Sequence, residues 1–184
     1  MGTYTIQPTF ALWLAYMALG QFLKRGYPDP KIDNCPSSIW WMSLVTQLIV
    51  FPATFALYGP DAFRSVVCAY MLRDIFSSNK TIVAHHLLSL FGTTLIPSSG
   101  LVHFCYATCA LELGSAFYCM VRMNIVKPTL YRITMFASHV VASSLFCDWV
   151  GREGILPRTW LPIAAIMAVL VIGREREAHR IAPI

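Results

Sequence analysis

Two adjacent histidines, His85 and His86, sit inside the otherwise apolar stretch IVAHHLLS at residues 82–89. Histidine changes charge near neutral pH and can act as a base, a proton shuttle or an acyl-carrying nucleophile. Glu112 lies in a second apolar stretch, ATCALELGSAFYCMVRMN at 107–124, and Asp74 near the end of a third. In an apolar medium such groups need a partner or water, because an unpaired buried carboxylate costs several kcal/mol. The ionisable residues inside apolar stretches are therefore the functional shortlist: Arg73, Asp74, His85, His86, His103, Glu112, His139 and Asp148.

Helical spacing sorts these residues. His85, Ser89 and Thr93 recur at i+4, while His86 projects about 100° away from His85, so the pair addresses two directions, a cavity and a neighbouring helix. Cys105, Thr108, Glu112, Ser115 and Cys119 alternate at steps of three and four, a small and polar face with a carboxylate at its centre. Glu112 precedes Arg122 by ten residues, which puts it about 15 Å from the inner helix end, near the bilayer midplane. His139 and Ser143 form a weaker stripe. The reading expects His85 or His86 as base and Glu112 and Asp74 as orienting or charge-stabilising groups, with Ser89, Thr93, Thr108, Ser115 and His139 lining the cavity. His103 and His139 also suit hydrogen bonding between helices, and Arg73-Asp74 an interfacial anchor that snorkels. No metal is expected, since adjacent histidines on a regular helix do not readily chelate one ion and neither an HxxHH cluster nor HExxH occurs, and without a GxSxG elbow no Ser-His-Asp set is specified.

The elements that position these residues follow from composition. Of 184 residues, 57% are hydrophobic and 12% charged, against about 25% charged in a soluble domain. The apolar residues fall in blocks suited to a bilayer about 30 Å thick, and seven candidate spans result: 3–23, 39–58, 62–76, 82–96, 101–121, 133–150 and 159–173. The third and fourth are short, so the expectation is an all-α polytopic membrane bundle of about six or seven helices in a single domain, 1–184. YGPD at 58–61 and IPSSG at 96–100 read as tight turns that make consecutive spans antiparallel neighbours. The connection 24–38 reads as an inner loop, and 174–184 as a basic inner tail ending in a solvated helix. Lys24, Arg25, Lys80, Arg122, Lys127 and Arg132 gather on one side with that tail, which places the C-terminus on the cytosolic, matrix or stromal side of an ER or organellar membrane. The net charge of +5 then needs no nucleic-acid partner. Six scattered cysteines without a CxxC predict neither a disulfide framework nor zinc. The first span lacks a preceding Lys or Arg and is expected to be retained rather than cleaved. Trp13, Trp40, Trp41, Trp149 and Trp160 are expected at bilayer interfaces or partner surfaces.

The segment YMLRDIFSSNKTIVAHHLLSLFGTTL (70–95) followed by ATCALELGSAFYCMVRMN (107–124) resembles the TLC-domain membrane proteins. Asp74, His85, His86, Leu111 and Glu112 match their pattern of an aspartate before a His-His pair and a Leu-Glu with small residues in the next helix. The resemblance implies a helical bundle around a lipid-accessible cavity and work on lipids: acylation by acyl-CoA in the ceramide synthases, effects on membrane lipid composition elsewhere. The synthases carry a His-Asp and a further Asp before the Leu-Glu; here those places are Phe104, Cys105 and Thr108, which points to a non-synthase branch. Expected, then, is a protein that binds or modifies a membrane lipid, without a resident cofactor and with acyl-CoA as substrate if it is an acyltransferase. The alternative is a non-catalytic accessory subunit among other subunits of a larger ER or organellar membrane complex.

Overall fold

The structure, a computed structural model, describes residues 11, 14, 15, 17–20, 30–32, 35–74, 80–153 and 157–181; of residues 35, 74, 80–82 and 157 it describes the backbone alone. Most of the expected span 3–23 and residues 24–29 of the expected inner loop lie outside the described residues. The described residues are all-α apart from one small ladder. In apolar surroundings a backbone satisfies its own N–H and C=O groups most simply as helix, and six α-helices dominate the described residues.

What is described of the loop is a two-residue ladder, β1 (Lys31–Ile32) against β2 (Cys35–Pro36), with Lys31 opposite Pro36 and Ile32 opposite Cys35. The Trp40 indole N–H donates to the Ile32 carbonyl at 3.2 Å and ties this hairpin to α1 (Ser37–Val45). A π-helical turn, Thr46–Val50, carries the chain into α2 (Phe51–Asp74).

Inside α2, Gly59 adopts φ 80°, ψ −176°, a conformation that glycine tolerates and that breaks the helix, and Pro60 follows. The chain doubles back there. Gln47 Nε2 donates to the Tyr70 hydroxyl at 3.1 Å and Arg73 Nη2 to Ser43 Oγ at 3.1 Å, although residues 23 apart in a straight helix would lie about 35 Å from each other. Phe51 meets Phe63 and Tyr70 across the same seam, with ring centroids 5.6 and 5.4 Å apart. The turn read from YGPD is thus a helical hairpin closed by Gly59 and Pro60. Arg73 departs from its expected role as a snorkelling anchor: it is buried, bonded to Ser43 and stacked 4.6 Å over the Tyr70 ring.

Next come α3 (Lys80–Leu95), a 3₁₀ turn at Ser98–Gly100, α4 (Leu101–Arg122), α5 (Pro128–Glu153) and α6 (Pro157–Ile181). The most extensive interface joins α4 and α5. Gly114 makes it close: a Cβ there would lie 2.5 Å from Ser138 Oγ and 3.1 Å from Met135 Sδ, the small-residue contact that lets helix backbones approach in a membrane. One expectation fails here. Despite the short IPSSG connection, α3 packs on α2 and α6 rather than on α4, its neighbour in sequence, because a cavity separates the two.

The polar tail reads differently in three dimensions as well. Helix α6 runs unbroken through Arg174–Ile181, and Ala178 is fully buried among Val121, Tyr131 and Met135. Its charges are engaged: Glu177 with Arg122 at 3.7 Å and Arg180 at 2.7 Å, Glu175 with His139 at 2.7 Å, His179 with Arg132 at 2.8 Å. The segment is a packed helix end stitched to α4 and α5, where a solvated end was expected; the contacts of α4 and α5 supply the reason.

Among the described residues, three stretches are long and apolar enough to cross a membrane: Ser37–Arg73, which contains the hairpin, Ser98–Arg122 and Pro128–Glu153. They are compatible with an integral membrane protein. The distribution of polarity agrees. Leu57 is 73%, Phe136 62% and Ile133 61% exposed, whereas Glu112, His139 and Gln47 are each 5% exposed. Large apolar side chains outside and polar ones inside suit a hydrocarbon solvent, in which interior polar groups bond one another.

Candidate functional site: a cavity closed by a buried ion pair

Helices α2 to α6 surround a cavity of about 120 Å³. That is similar to a void that accommodates a single aromatic ring, of about 150 Å³, and below the roughly 300–1,000 Å³ of drug-sized ligand sites. Its walls are mainly apolar. Val67 and Met71 come from α2, Phe104 and Ala107 from α4, Phe146 and Trp149 from α5. From α6 come Ile163, Ile166, Met167, Leu170, Val171 and Arg174, the i, i+3, i+4, i+7, i+8, i+11 stripe of a single helix face.

The polar lining is sparse and distributed by depth. His85, Ser89 and Thr93 descend one face of α3, as their i+4 spacing predicts, and Thr93 Oγ1 donates to the Ser89 carbonyl at 2.8 Å. Thr108 and Glu112 face the cavity from α4. The other half of the histidine pair turns away: His86 is buried with its ring 5.8 Å from Tyr70 of α2 and 5.4 Å from His85. The two directions read from the pair are therefore a cavity for His85 and a helix contact for His86.

Glu112 meets Arg174, the first residue of the basic C-terminal run. Arg174 Nη2 lies 3.6 Å from Glu112 Oε1, and the same guanidinium donates to the Leu111 carbonyl at 3.1 Å and to Ser115 Oγ. Arg174 is only 12% exposed. Its planar fork suits several acceptors at once, and here it ties the mid-helix polar face of α4 to the end of the α6 stripe. The signal for it was in the sequence: Arg174 continues the periodic run of Ile163, Ile166, Met167, Leu170 and Val171 in register.

The remaining expected site residues divide. Ser115 holds Arg174 rather than bordering the cavity. His139 also lies off it, in the α5–α6 interface, where its Nδ1 pairs with Glu175. The Asp74 side chain lies outside the described residues. Trp149, expected at an interface, is 2% exposed and packs over Gly100 at the far end of the cavity, while Trp41 is exposed as expected. His103 borders the same end, with Nε2 3.4 Å from Asp148 Oδ2.

Chemically, the end of the cavity at the ion pair offers one imidazole, His85, on an otherwise apolar wall, and beside it a carboxylate already engaged by a guanidinium; a second imidazole, His103, borders the far end. A void of that size has room for a small apolar group or one short segment of an apolar chain, and presents a base and a cation to a polar group at one end. Among the described residues no cluster of His, Cys, Asp and Glu could hold a metal ion. No family model matches the chain, and no curated protein or solved structure matches it.

Proposed function

We propose that this chain is a polytopic membrane protein, a bundle of six or seven helices of the kind its TLC resemblance implies, that binds the apolar chain of a membrane lipid in the α2–α6 cavity. The polar end of the lipid, an ester, amide or carboxylate, lies at His85 and Arg174. The observation that carries the reading is the asymmetry of the cavity: apolar walls from five helices, closed at one end by His85 and the Glu112–Arg174 pair. If the lipid is modified as well as bound, His85 is the group placed to touch an acyl carbonyl and to move a proton. His86 and Asp74 would act through it. The basic loops put the C-terminus on the cytosolic, matrix or stromal side of an ER or organellar membrane.

The testing experiment uses the purified protein in nanodiscs with a diazirine-bearing fatty acid, and reads crosslinked positions by mass spectrometry. Labelling concentrated on cavity positions of α3, α4 and α6, and abolished by Thr108→Phe, is the expected result. Labelling no stronger there than at outward-facing Ile133 overturns it. Labelled acyl-CoA with sphingoid-base and lysolipid acceptors, comparing wild type with His85→Ala, then separates binding from acyl transfer.

A second reading, an accessory subunit of a larger membrane complex, is favoured by the outer face of α5. A shallow groove there is lined by His139, Val140, Ser143, Ser144 and Cys147. It turns hydroxyls and a thiol towards the surroundings above the His139 Nε2, which has no hydrogen-bond partner. Small and polar faces of this kind join helices in membranes. Stable co-purification of a partner that Ser143→Leu/Ser144→Leu releases would support it.

A further inference from the structure

The end of the cavity opposite the ion pair holds two buried polar atoms that the proposed function does not use. Trp149 Nε1 and His103 Nδ1 are both shielded from solvent and have no hydrogen-bond partner among the described residues, and both side chains line the cavity. Leaving such atoms unbonded is unfavourable, by the desolvation each has already undergone.

Their chemistry is complementary rather than duplicate. An indole N–H only donates. On His103, Nε2 lies 3.4 Å from the acceptor Asp148 Oδ2, which favours the proton on that nitrogen, and in the neutral ring Nδ1 then carries a lone pair and accepts. Asp148 is itself fixed by Arg152, whose Nε donates to Oδ1 at 2.7 Å. One donor and one acceptor at the same end of a narrow apolar cavity match a group that both accepts and donates through a single atom, as a hydroxyl does.

Position supports the match. His103 is the third residue of α4 and Gly100, over which Trp149 packs, ends the 3₁₀ turn before it, so this station lies at the helix ends. It stands nine residues, about 14 Å, from Glu112 along α4. We propose that Trp149 and His103 form a hydroxyl-binding station, and that the lipid taken by the cavity is a slender amphiphile with a free hydroxyl remote from the ester, amide or carboxylate held at His85 and Arg174. Its hydroxyl oxygen accepts from Trp149 Nε1–H, its proton is donated to His103 Nδ1, and its chain runs between α3 and α6 towards His85. This inference rests on the lipid-binding reading of the same cavity.

The test alters the ligand before the protein. Full-length protein in phosphatidylcholine nanodiscs is photolabelled with a diazirine-bearing long-chain alcohol, its methyl ether and the corresponding fatty acid, at equal mole fractions in the bilayer. The alcohol should label cavity positions about tenfold more than the ether, the discrimination expected from one lost hydrogen bond. In His103→Phe, which removes the acceptor that only the alcohol can donate to, the ratio should fall towards one, while Trp149→Phe should weaken labelling by alcohol and ether alike, with circular dichroism and melting confirming the fold. Equal labelling by alcohol and ether in the wild-type protein overturns the hydroxyl station while leaving a lipid cavity. Absence of cavity labelling by all three probes overturns both.

Discussion

Replacing Arg174 by Met is the sharpest perturbation of the proposed site. Methionine has a similar length and keeps apolar packing against α4, but removes the charge and the donors. At 3.6 Å from Glu112 Oε1, and with an effective dielectric of about 20, the Coulomb attraction lost is ~5 kcal/mol. The Leu111 carbonyl and Ser115 Oγ lose a donor as well. Relaxation and water entry return part of this, so the net loss should be about 3–5 kcal/mol, the range for removing one partner of a buried pair. For a chain of this size that corresponds to a fall of roughly 10 °C in melting temperature. Arg180→Met is the internal control, because Arg180 is 71% exposed and its pair with Glu177 should be worth no more than about 1 kcal/mol. Intrinsic fluorescence melting in detergent micelles reads both. A double variant, Glu112→Gln with Arg174→Met, should lose less than the sum of its single changes, since no charge is then left without its partner. If Arg174→Met melts with Arg180→Met, or the double variant is strictly additive, the buried pair is not what holds α6 to α4.

Further perturbations probe the hairpin, the tightest crossing and the cavity. Gly59→Ala meets open space at its Cβ but an unfavourable φ of 80°, so it should destabilise by about 1–2 kcal/mol through the backbone alone, read in the same melting assay. Gly114→Leu puts a side chain where a Cβ already lies 2.5 Å from Ser138 Oγ, and should cost at least about 3 kcal/mol or separate α4 from α5, which engineered cross-linking between those helices would detect. Ser89→Cys, on the cavity wall, should react with a slim membrane-soluble thiol reagent and be protected by a bound fatty acid; His86→Cys, facing Tyr70, should react slowly and without protection. Equal protection of both would place His86 in the cavity and refute the division of the pair.

The local features were legible because they depend on a single element. Apolar blocks between turn residues announce helices, and Gly59 with Pro60 announces the reversal between two of them, because both consequences follow from backbone sterics. The different directions of His85 and His86 follow equally from 100° per residue, and the i+4 stripe of Ser89 and Thr93 reappears on the cavity wall. Glu112 could be seen to need a partner, since a buried carboxylate without one is unfavourable in any fold.

Which partner it found was a matter of tertiary structure. The run GREREAHR reads as solvated charge when considered alone; only the docking of α6 along α4 turns Arg174 inward and gives Glu175 and Glu177 their partners on α5 and α4. The burial of Trp149 over Gly100 and the void between α3 and α4 likewise depend on how helices far apart in sequence pack. Periodicity tells which residues of one helix share a face. It carries no information on which other helix meets that face, or at what depth, because that choice is made by the fit of whole surfaces; the amino-acid sequence therefore determined the helices and their polar stripes, and the packing of α6 determined that two of those stripes close one cavity.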